Sequence, residues 1–242
     1  MSSPLACSVK DLSRSYGRVL AVDRITFSIR PAEVFGLIGP NGSGKTTTLR
    51  IIATLLLPSS GEVSVFGEDV TAHPAEVRRT ISYLPEDAGA YKNLSGQDYL
   101  RFMASLYAAD KSARDAMVER AEELADLGAR IKDKVKTYSK GMTRKLLLGR
   151  ALATCPRLAI LDEPTSGMDV VNSMALRRRI REFADKGTSV LLSSHNMLEV
   201  EFLSDRVAML AKGRIVESGT VAEIKERHQA RNLEEVFSRI AG

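Results

Sequence analysis

Apolar and polar residues alternate along Ser8-Val9-Lys10-Asp11-Leu12 and again along Ile25-Thr26-Phe27-Ser28-Ile29. A period of two predicts half-buried strands. Val34-Phe35-Gly36-Leu37-Ile38, Leu158-Ala159-Ile160-Leu161 and Ser189-Val190-Leu191-Leu192-Ser193 are short, continuous apolar runs instead. Such runs fit strands buried on both faces. Glu62 to Phe66 reads as a strand between the turns Pro58-Ser59-Ser60-Gly61 and Gly67-Glu68-Asp69. Arg206 to Leu210 and Arg214 to Glu217 read as a late hairpin around Lys212-Gly213.

Helical patterning occupies the stretches between. Thr46 to Leu57 is one candidate. From about Ala88 to Lys145 the chain is mostly helical in pattern. Ser95 can cap a helix carrying Tyr99, Leu100, Phe102, Met103, Leu106 and Tyr107. A second helix is expected from Ser112 to Leu127, with Gly128 as its C-cap. Asn172 to Lys186 reads as a crossover helix ended by Gly187, and two short helices follow Val221. Strand–helix–strand alternation predicts an α/β body with a mostly parallel sheet covered by helices, interrupted by a helical insertion. No internal repeat or low-complexity linker appears.

The densest chemistry lies between the run Val34–Ile38 and the helix that follows it. Gly39-Pro40-Asn41-Gly42-Ser43-Gly44-Lys45-Thr46 matches G-x-x-x-x-G-K-[ST] in the strand–loop–helix context that motif needs. Glycines let the backbone wrap closely, so successive N–H groups can face phosphate oxygens, and the helix adds its positive end. Lys45 can reach the β- and γ-phosphates, and Thr46 can offer its hydroxyl to Mg²⁺. Asp162-Glu163 follows the buried run Leu158–Leu161 directly. Carboxylates at the carboxyl end of a parallel strand lie where such sheets bind ligands. Asp162 can hold Mg²⁺ through water, and Glu163 can orient or deprotonate the attacking water. His195, after the run Ser189–Ser193, can hydrogen-bond a γ-phosphate oxygen and help fix that water.

Composition narrows the picture modestly. The 242 residues suffice for one large domain or a domain with an insertion, and 44% hydrophobic with 27% charged residues is ordinary for a soluble globular chain. The net charge of +5 suits phosphates or an anionic surface without demanding either. Arg177-Arg178-Arg179 with Arg181 is either a solvated helix face or a phosphate or lipid contact. Few aromatics and no Trp leave no stacking platform for single-stranded nucleic acid, and no nucleic-acid partner is expected. Cys7 and Cys155 have no metal-ligand spacing, which fits a reducing compartment. Met1 to Cys7 shows no signal-peptide pattern, and runs such as Ile51–Leu57 are too short to span a bilayer. If the protein works at a membrane, another chain supplies the spanning helices.

With the phosphate loop, Asp162-Glu163 and His195 in place, Tyr138-Ser139-Lys140-Gly141-Met142 falls at the spacing of a known signature. Along nearly its whole length the chain resembles the nucleotide-binding subunit of an ABC (ATP-binding cassette) transporter. The family pattern is L-S-G-G-Q, so Ser139 and Gly141 match while Lys140 and Met142 depart. The resemblance implies an α/β P-loop NTPase core, an N-terminal antiparallel β-subdomain and an inserted α-helical subdomain. It divides one ABC ATPase domain, 1–242, into a core (1–87 and 146–228), a helical subdomain with the signature loop (88–145) and a helical tail (229–242). ATP would be held by Gly39, Pro40, Asn41, Gly42, Ser43, Gly44, Lys45, Thr46 and Thr47, with Tyr16 stacked on adenine. Ser139 and Gly141 would bind the γ-phosphate of an ATP held by the opposite subunit. Met142 cannot make the polar contact of the usual Gln, which implies a weaker or re-tuned dimer contact. Glu163, His195 and Lys45 are the catalytic residues by this resemblance, and Thr46, Asp162 and Glu86 the Mg²⁺ residues. Glu86, in Leu84-Pro85-Glu86, stands where the family has Gln; it could ligate Mg²⁺ through water or turn away. Ser166-Gly167-Met168-Asp169 resembles the D-loop that crosses the dimer interface.

Glu86, the Tyr-Ser-Lys-Gly-Met signature and the tail Asn232-Leu233-Glu234-Glu235-Val236-Phe237 together resemble one exporter subgroup. In that subgroup, with its daunorubicin-, sodium- and polysaccharide-type members, the ATPase is a separate chain paired with an integral-membrane permease. The expected partners are therefore a second copy, head to tail across two ATP molecules, and the permease. The expected location is the cytoplasmic face of the membrane. The alternative is a soluble, non-transport ABC ATPase of the assembly type; a regulatory module without turnover is disfavoured by intact Glu163 and His195.

Overall fold

In the computed structural model of the protein, residues 5–241 are described; residues 1–4, the start of the segment read as lacking a leader, and residue 242, the end of the tail, lie outside them. In chain order the elements are β1 (Cys7–Tyr16), β2 (Val19–Ile29), β3 (Val34–Ile38), α1 (Lys45–Ile52), β4 (Ser60–Val65), β5 (Glu68–Asp69), α2 (Pro74–Thr80) and β6 (Ile81–Leu84). Then come α3 (Gly96–Ala104), α4 (Lys111–Ala125), α5 (Lys140–Ala153), β7 (Leu158–Asp162) and α6 (Val170–Asp185). The chain closes with β8 (Ser189–Ser194), α7 (Met197–Leu203), β9 (Arg206–Ala211), β10 (Arg214–Thr220), α8 (Val221–Arg227) and α9 (Leu233–Ala241).

Two sheets result. One is antiparallel, in the order β2-β1-β4-β5; the other runs β10-β9-β3-β8-β7-β6 and is parallel except for β10. The continuous apolar runs form the centre of the second sheet, and all residues of β3, β7 and β8 are buried. Their alternation divides two cores. Val34, Ile38, Ala159, Leu161, Val190 and Leu192 face the core made with α3–α7 and the tail. Phe35, Leu37, Leu158, Ile160 and Leu191 face the core shared with α1 and the antiparallel sheet. A sheet covered on both faces explains why these strands read as unbroken hydrophobic stretches.

Local rules set the helix starts. Ser95 accepts the Asp98 N–H at 3.0 Å and Ser139 the Met142 N–H at 3.1 Å, as N-caps do. Three expected boundaries shift. The helix expected to reach Leu57 stops at Ile52, because Thr54 turns left-handed (φ 61°) and the Leu55 N–H closes back on the Arg50 carbonyl at 2.9 Å. The second inserted helix ends at Ala125, with Asp126 rather than Gly128 in the left-handed cap position (φ 46°); Gly128 opens a 3₁₀ turn over Gly128–Lys132. The crossover helix begins at Val170, two residues before Asn172, because the Asp169 carboxylate caps the Asn172 N–H at 2.9 Å. α2, β5, β6 and α7 escaped the periodicity reading; none exceeds seven residues, too few for a pattern to repeat.

Candidate active site

The loop between β3 and α1 lines a cleft of about 210 Å³ with Asn41, Gly42 and Gly44, the first turn of α1 adds Lys45, Thr46 and Thr47, and Ala21, Glu86 and Glu163 complete its walls. Gly39 sits where a Cβ would lie 2.2 Å from the Leu210 carbonyl oxygen, and Gly44 (φ 108°) where it would lie 2.6 Å from that of Ala21. Close backbone packing and a left-handed turn thus require glycine at both places. Gly44 occupies the N-cap of α1 without a side-chain cap. The first-turn N–H groups of a helix lack intrahelical partners and suit an anion.

Lys45 is buried at the cleft floor. Its ammonium donates to the Gly39 carbonyl at 2.7 Å and the Pro40 carbonyl at 3.1 Å, and lies 3.8 Å from Glu163 Oε1. Burial pushes its pKa below the ordinary lysine value, against the raising fields of Glu163, Asp162 and Glu86. Ser43 is buried in the same loop, and its Oγ has no hydrogen-bond partner.

The carboxyl end of β7 brings the acids to this cleft, and that of β8 brings the serines that hold them. Asp162 is buried; its Oδ1 accepts from Ser193 Oγ at 2.5 Å and from Thr46 Oγ1 at 3.3 Å, and its Oδ2 from the Tyr83 hydroxyl at 3.4 Å. Glu163 follows with φ 48°, an uncommon conformation for a non-glycine residue that the surroundings must enforce. Its N–H donates to Ser193 Oγ at 3.1 Å, and its Oε2 takes the Ser194 hydroxyl at 3.3 Å and stands 2.9 Å from His195 Nδ1. Its other oxygen, Oε1, is buried with no hydrogen-bond partner. Orphaned buried carboxylate oxygens are rare and call for an explanation.

Thr46 and Asp162 suit Mg²⁺, which commonly takes one or two protein oxygens and completes its sphere with water and substrate phosphates. Among the described residues no cluster of three or more His, Cys, Asp or Glu side chains could hold a metal alone. The pair therefore fits a phosphate-borne ion and not an all-protein cage. Glu86 is exposed at the cleft wall, so its carboxylate is available to that space.

The remaining sequence candidates lie elsewhere. Tyr16 ends β1, 45% exposed and outside the core, with the Arg14 guanidinium 4.9 Å above its ring. Ser139 and Gly141 start α5 and do not line the cleft. Lys140, also at that start, lies across the turn Ser166-Gly167-Met168-Asp169: a Cβ on Gly167 would sit 2.2 Å from its Nζ. Met142 packs inward against the helical core.

Sequence reading missed four contributors. Ser193 and Ser194 were legible as polar residues ending a buried strand just before His195. Tyr83 lies on the short edge strand β6, where no pattern marks it. Arg144 resembled any charged residue of an amphipathic helix; it is 5% exposed and bonds only to backbone carbonyls.

A phosphate-wrapping loop, two buried acids and an imidazole at the carboxyl edge of a parallel sheet define a phosphate-loop nucleotide hydrolase. Comparison with known proteins sharpens the class. A family model described as ABC transporter matches residues 22–166. The daunorubicin/doxorubicin resistance ATP-binding protein DrrA of Streptomyces peucetius is 38% identical over 223 residues, 91% of this chain and 67% of that protein. The ABC transporter ATP-binding protein NatA of Bacillus subtilis (strain 168) is 34% identical over 220 residues, 90% of this chain and 89% of that protein. A solved structure of an ATP binding subunit of an ABC transporter superposes with a TM-score of 0.86 at 30% identity, covering 98% of this chain and 100% of that one. The chain belongs to the ABC transporter family, as an ATP-binding and ATP-hydrolysing subunit that powers transport. None of its described helices is long and apolar enough to cross a membrane.

Proposed function

We propose that this subunit works as a head-to-tail homodimer enclosing two ATP molecules and drives export through a separate integral-membrane permease. It would act on the cytoplasmic face of the membrane, as a peripheral subunit. The similarity to transport ATP-binding proteins supports this over a soluble assembly ATPase. The observation that carries the chemistry is Glu163 Oε1, buried beside Lys45 and without a hydrogen-bond partner. An attacking water supplies the missing donor and meets a fixed carboxylate.

In this reading each residue has a separate task. Lys45 and residues 39–47 hold the triphosphate by N–H groups and one ammonium, and Tyr16 offers its exposed ring to adenine. Glu163 orients the water and accepts its proton, while His195 and Ser194 fix the other carboxylate oxygen. Mg²⁺ bound at Thr46 and Asp162, with Glu86 reached through water, would neutralise charge on the β- and γ-oxygens. Ser139 and Gly141 close over the partner's γ-phosphate from the start of α5. Residues 88–145 act as the arm carrying that start. Catalysis is then mainly positioning and charge neutralisation.

The permease side is supported by a groove of about 690 Å³ whose walls include Leu55, Arg78, Tyr83, Tyr107, Met117 and Arg150. Leu55 and Tyr107 are 62% and 64% exposed. Exposed apolar groups rimmed by charge are typical of a protein contact.

Glu163→Gln tests the reading directly. Steady-state phosphate release should fall by about a hundred-fold or more, since a positioned base contributes about 10²–10⁴-fold. ATP should still bind, and light scattering should find the variant as a dimer with ATP and Mg²⁺. Phosphate release at the parent's rate would remove Glu163 from the mechanism.

A further inference from the structure

We propose that Arg144 is a positioning residue that couples the start of α5 to the hydrolytic turn of its own chain, so that engagement of the partner's ATP by α5 sets Glu163 in place. This rests on the assignment of Glu163 and of Ser139 made above. Arg144 lies one turn into α5, its guanidinium buried. Nε donates to the Pro164 carbonyl at 2.9 Å. Nη1 donates to the carbonyls of Pro85 at 2.9 Å and Glu86 at 3.2 Å. Nη2 donates to the carbonyls of Asp162 at 2.6 Å and Glu163 at 2.9 Å. All five contacts are to backbone carbonyls; the carboxylates of Asp162, Glu86 and Glu163 act on it through their fields, without a hydrogen bond to it.

That pattern is informative. A buried arginine serving only as a charge partner would face an acid. This one reads the positions of two loops, the one after β6 that carries Glu86 and the one after β7 that carries Glu163. Two of its bonds flank the left-handed Glu163, the residue whose conformation most needs outside constraint. A planar fork with five fixed N–H donors can hold both loops at once, which an ammonium cannot. Because the fork is carried by α5, a shift at Ser139 and Gly141 moves the carbonyls on either side of Glu163. The coupling runs through one side chain with hydrogen bonds at both loops.

The test uses mixed dimers of the full chain, purified through two different tags. One chain carries Glu163→Gln, so the single working site takes Glu163 from the other chain and Ser139 from the silenced one. Arg144→Lys is introduced into either chain alone. Coupling lowers kcat when Arg144→Lys sits in the chain that carries Glu163, by about a hundred-fold when Glu163 is displaced by about an ångström. It leaves kcat near the parent mixture's when the substitution sits in the silenced chain, whose own hydrolytic turn is already inactive. The KM for ATP stays near the parent's, because the phosphate loop is untouched. Loss with the substitution in the silenced chain, or in neither placement, overturns the proposal. A fall in ATP affinity alongside kcat, with a lowered unfolding midpoint, also overturns it, since that is what a merely structural role produces. Arg144→Gln, which keeps two N–H donors, repeats the measurement should the lysine variant not fold. Failure of the underlying reading looks different: the Glu163→Gln homodimer itself would hydrolyse ATP at the parent's rate.

Discussion

At the scale of single residues, burial decides chemical behaviour. Cys7 begins β1 with no exposed surface, and burial pushes its thiol from 9.0 up to about 12. Cys155 is exposed. At mildly alkaline pH a thiol reagent should label Cys155 quickly and Cys7 only on unfolding. A mass spectrum showing modified Cys7 in the folded chain would contradict this. The same difference links stability to pH. Folded Cys7 keeps a proton that the unfolded chain releases above 9.0. The neutral thiol's contribution is therefore complete below that value and is lost as pH rises toward about 12. Within that window the loss approaches about 1.4 kcal/mol per pH unit. Lysines and tyrosines titrate there as well, so the comparison is between the parent and Cys7→Ala. Urea unfolding at several alkaline pH values should show a shallower loss in the variant. Parallel slopes would mean that the thiol is not protected.

Between elements, one close constraint is the crossing of α4 and α5. Gly149 lies within α5, and a Cβ there would sit 2.5 Å from the Ala121 carbonyl and 3.1 Å from the Ala125 nitrogen. On helix propensity alone, Gly149→Ala should stabilise by about 1 kcal/mol. The clash is with backbone, which cannot swing aside, and overpacking costs about 1–3 kcal/mol. The net effect should be destabilising. With the about 2–4 °C per kcal/mol usual for chains of this size, a clear drop in the melting midpoint follows. A raised midpoint would show that the helices separate freely. This contact illustrates what the sequence could and could not tell. The buried strands, the phosphate loop, the acid pair and His195 were legible because each is a local pattern: an apolar run, a glycine spacing, a carboxylate at a strand end. The Ser139 and Ser95 caps were legible for the same reason. Gly149, Arg144 and Tyr83 were not, because their partners lie far along the chain; Tyr83 meets Asp162 across 79 positions. Boundaries at Ile52 and Ala125 moved because Thr54 and Asp126 adopt left-handed turns that no pattern marks in non-glycine residues; at the second, Gly128 was the expected cap.

For the molecule as a whole, the arrangement of sites predicts a division of labour between copies. Glu163 borders the phosphate cleft, whereas Ser139 and Gly141 start α5 and line none of it. If a working site needs both, and the signature residues serve the opposite copy, then Ser139→Ala damages the partner's site and leaves the chain's own phosphate loop intact. Glu163→Gln damages only the site whose cleft contains it. Mix the two variants: one site then combines both defects and the other combines an intact Glu163 with an intact Ser139. The mixed dimer should regain phosphate release that neither homodimer shows, though less than a mixture of parent and Glu163→Gln chains, because Ser139→Ala also weakens the link through Arg144 to its own chain's Glu163. Ser139 also caps α5, and losing a cap costs about 1 kcal/mol, too little to unfold a chain of this size. Recovery on mixing therefore reports the composite site and not restored folding. An assay in which the mixture is merely the average of its two components would mean that Ser139 acts within its own chain, and the head-to-tail arrangement would have to be given up.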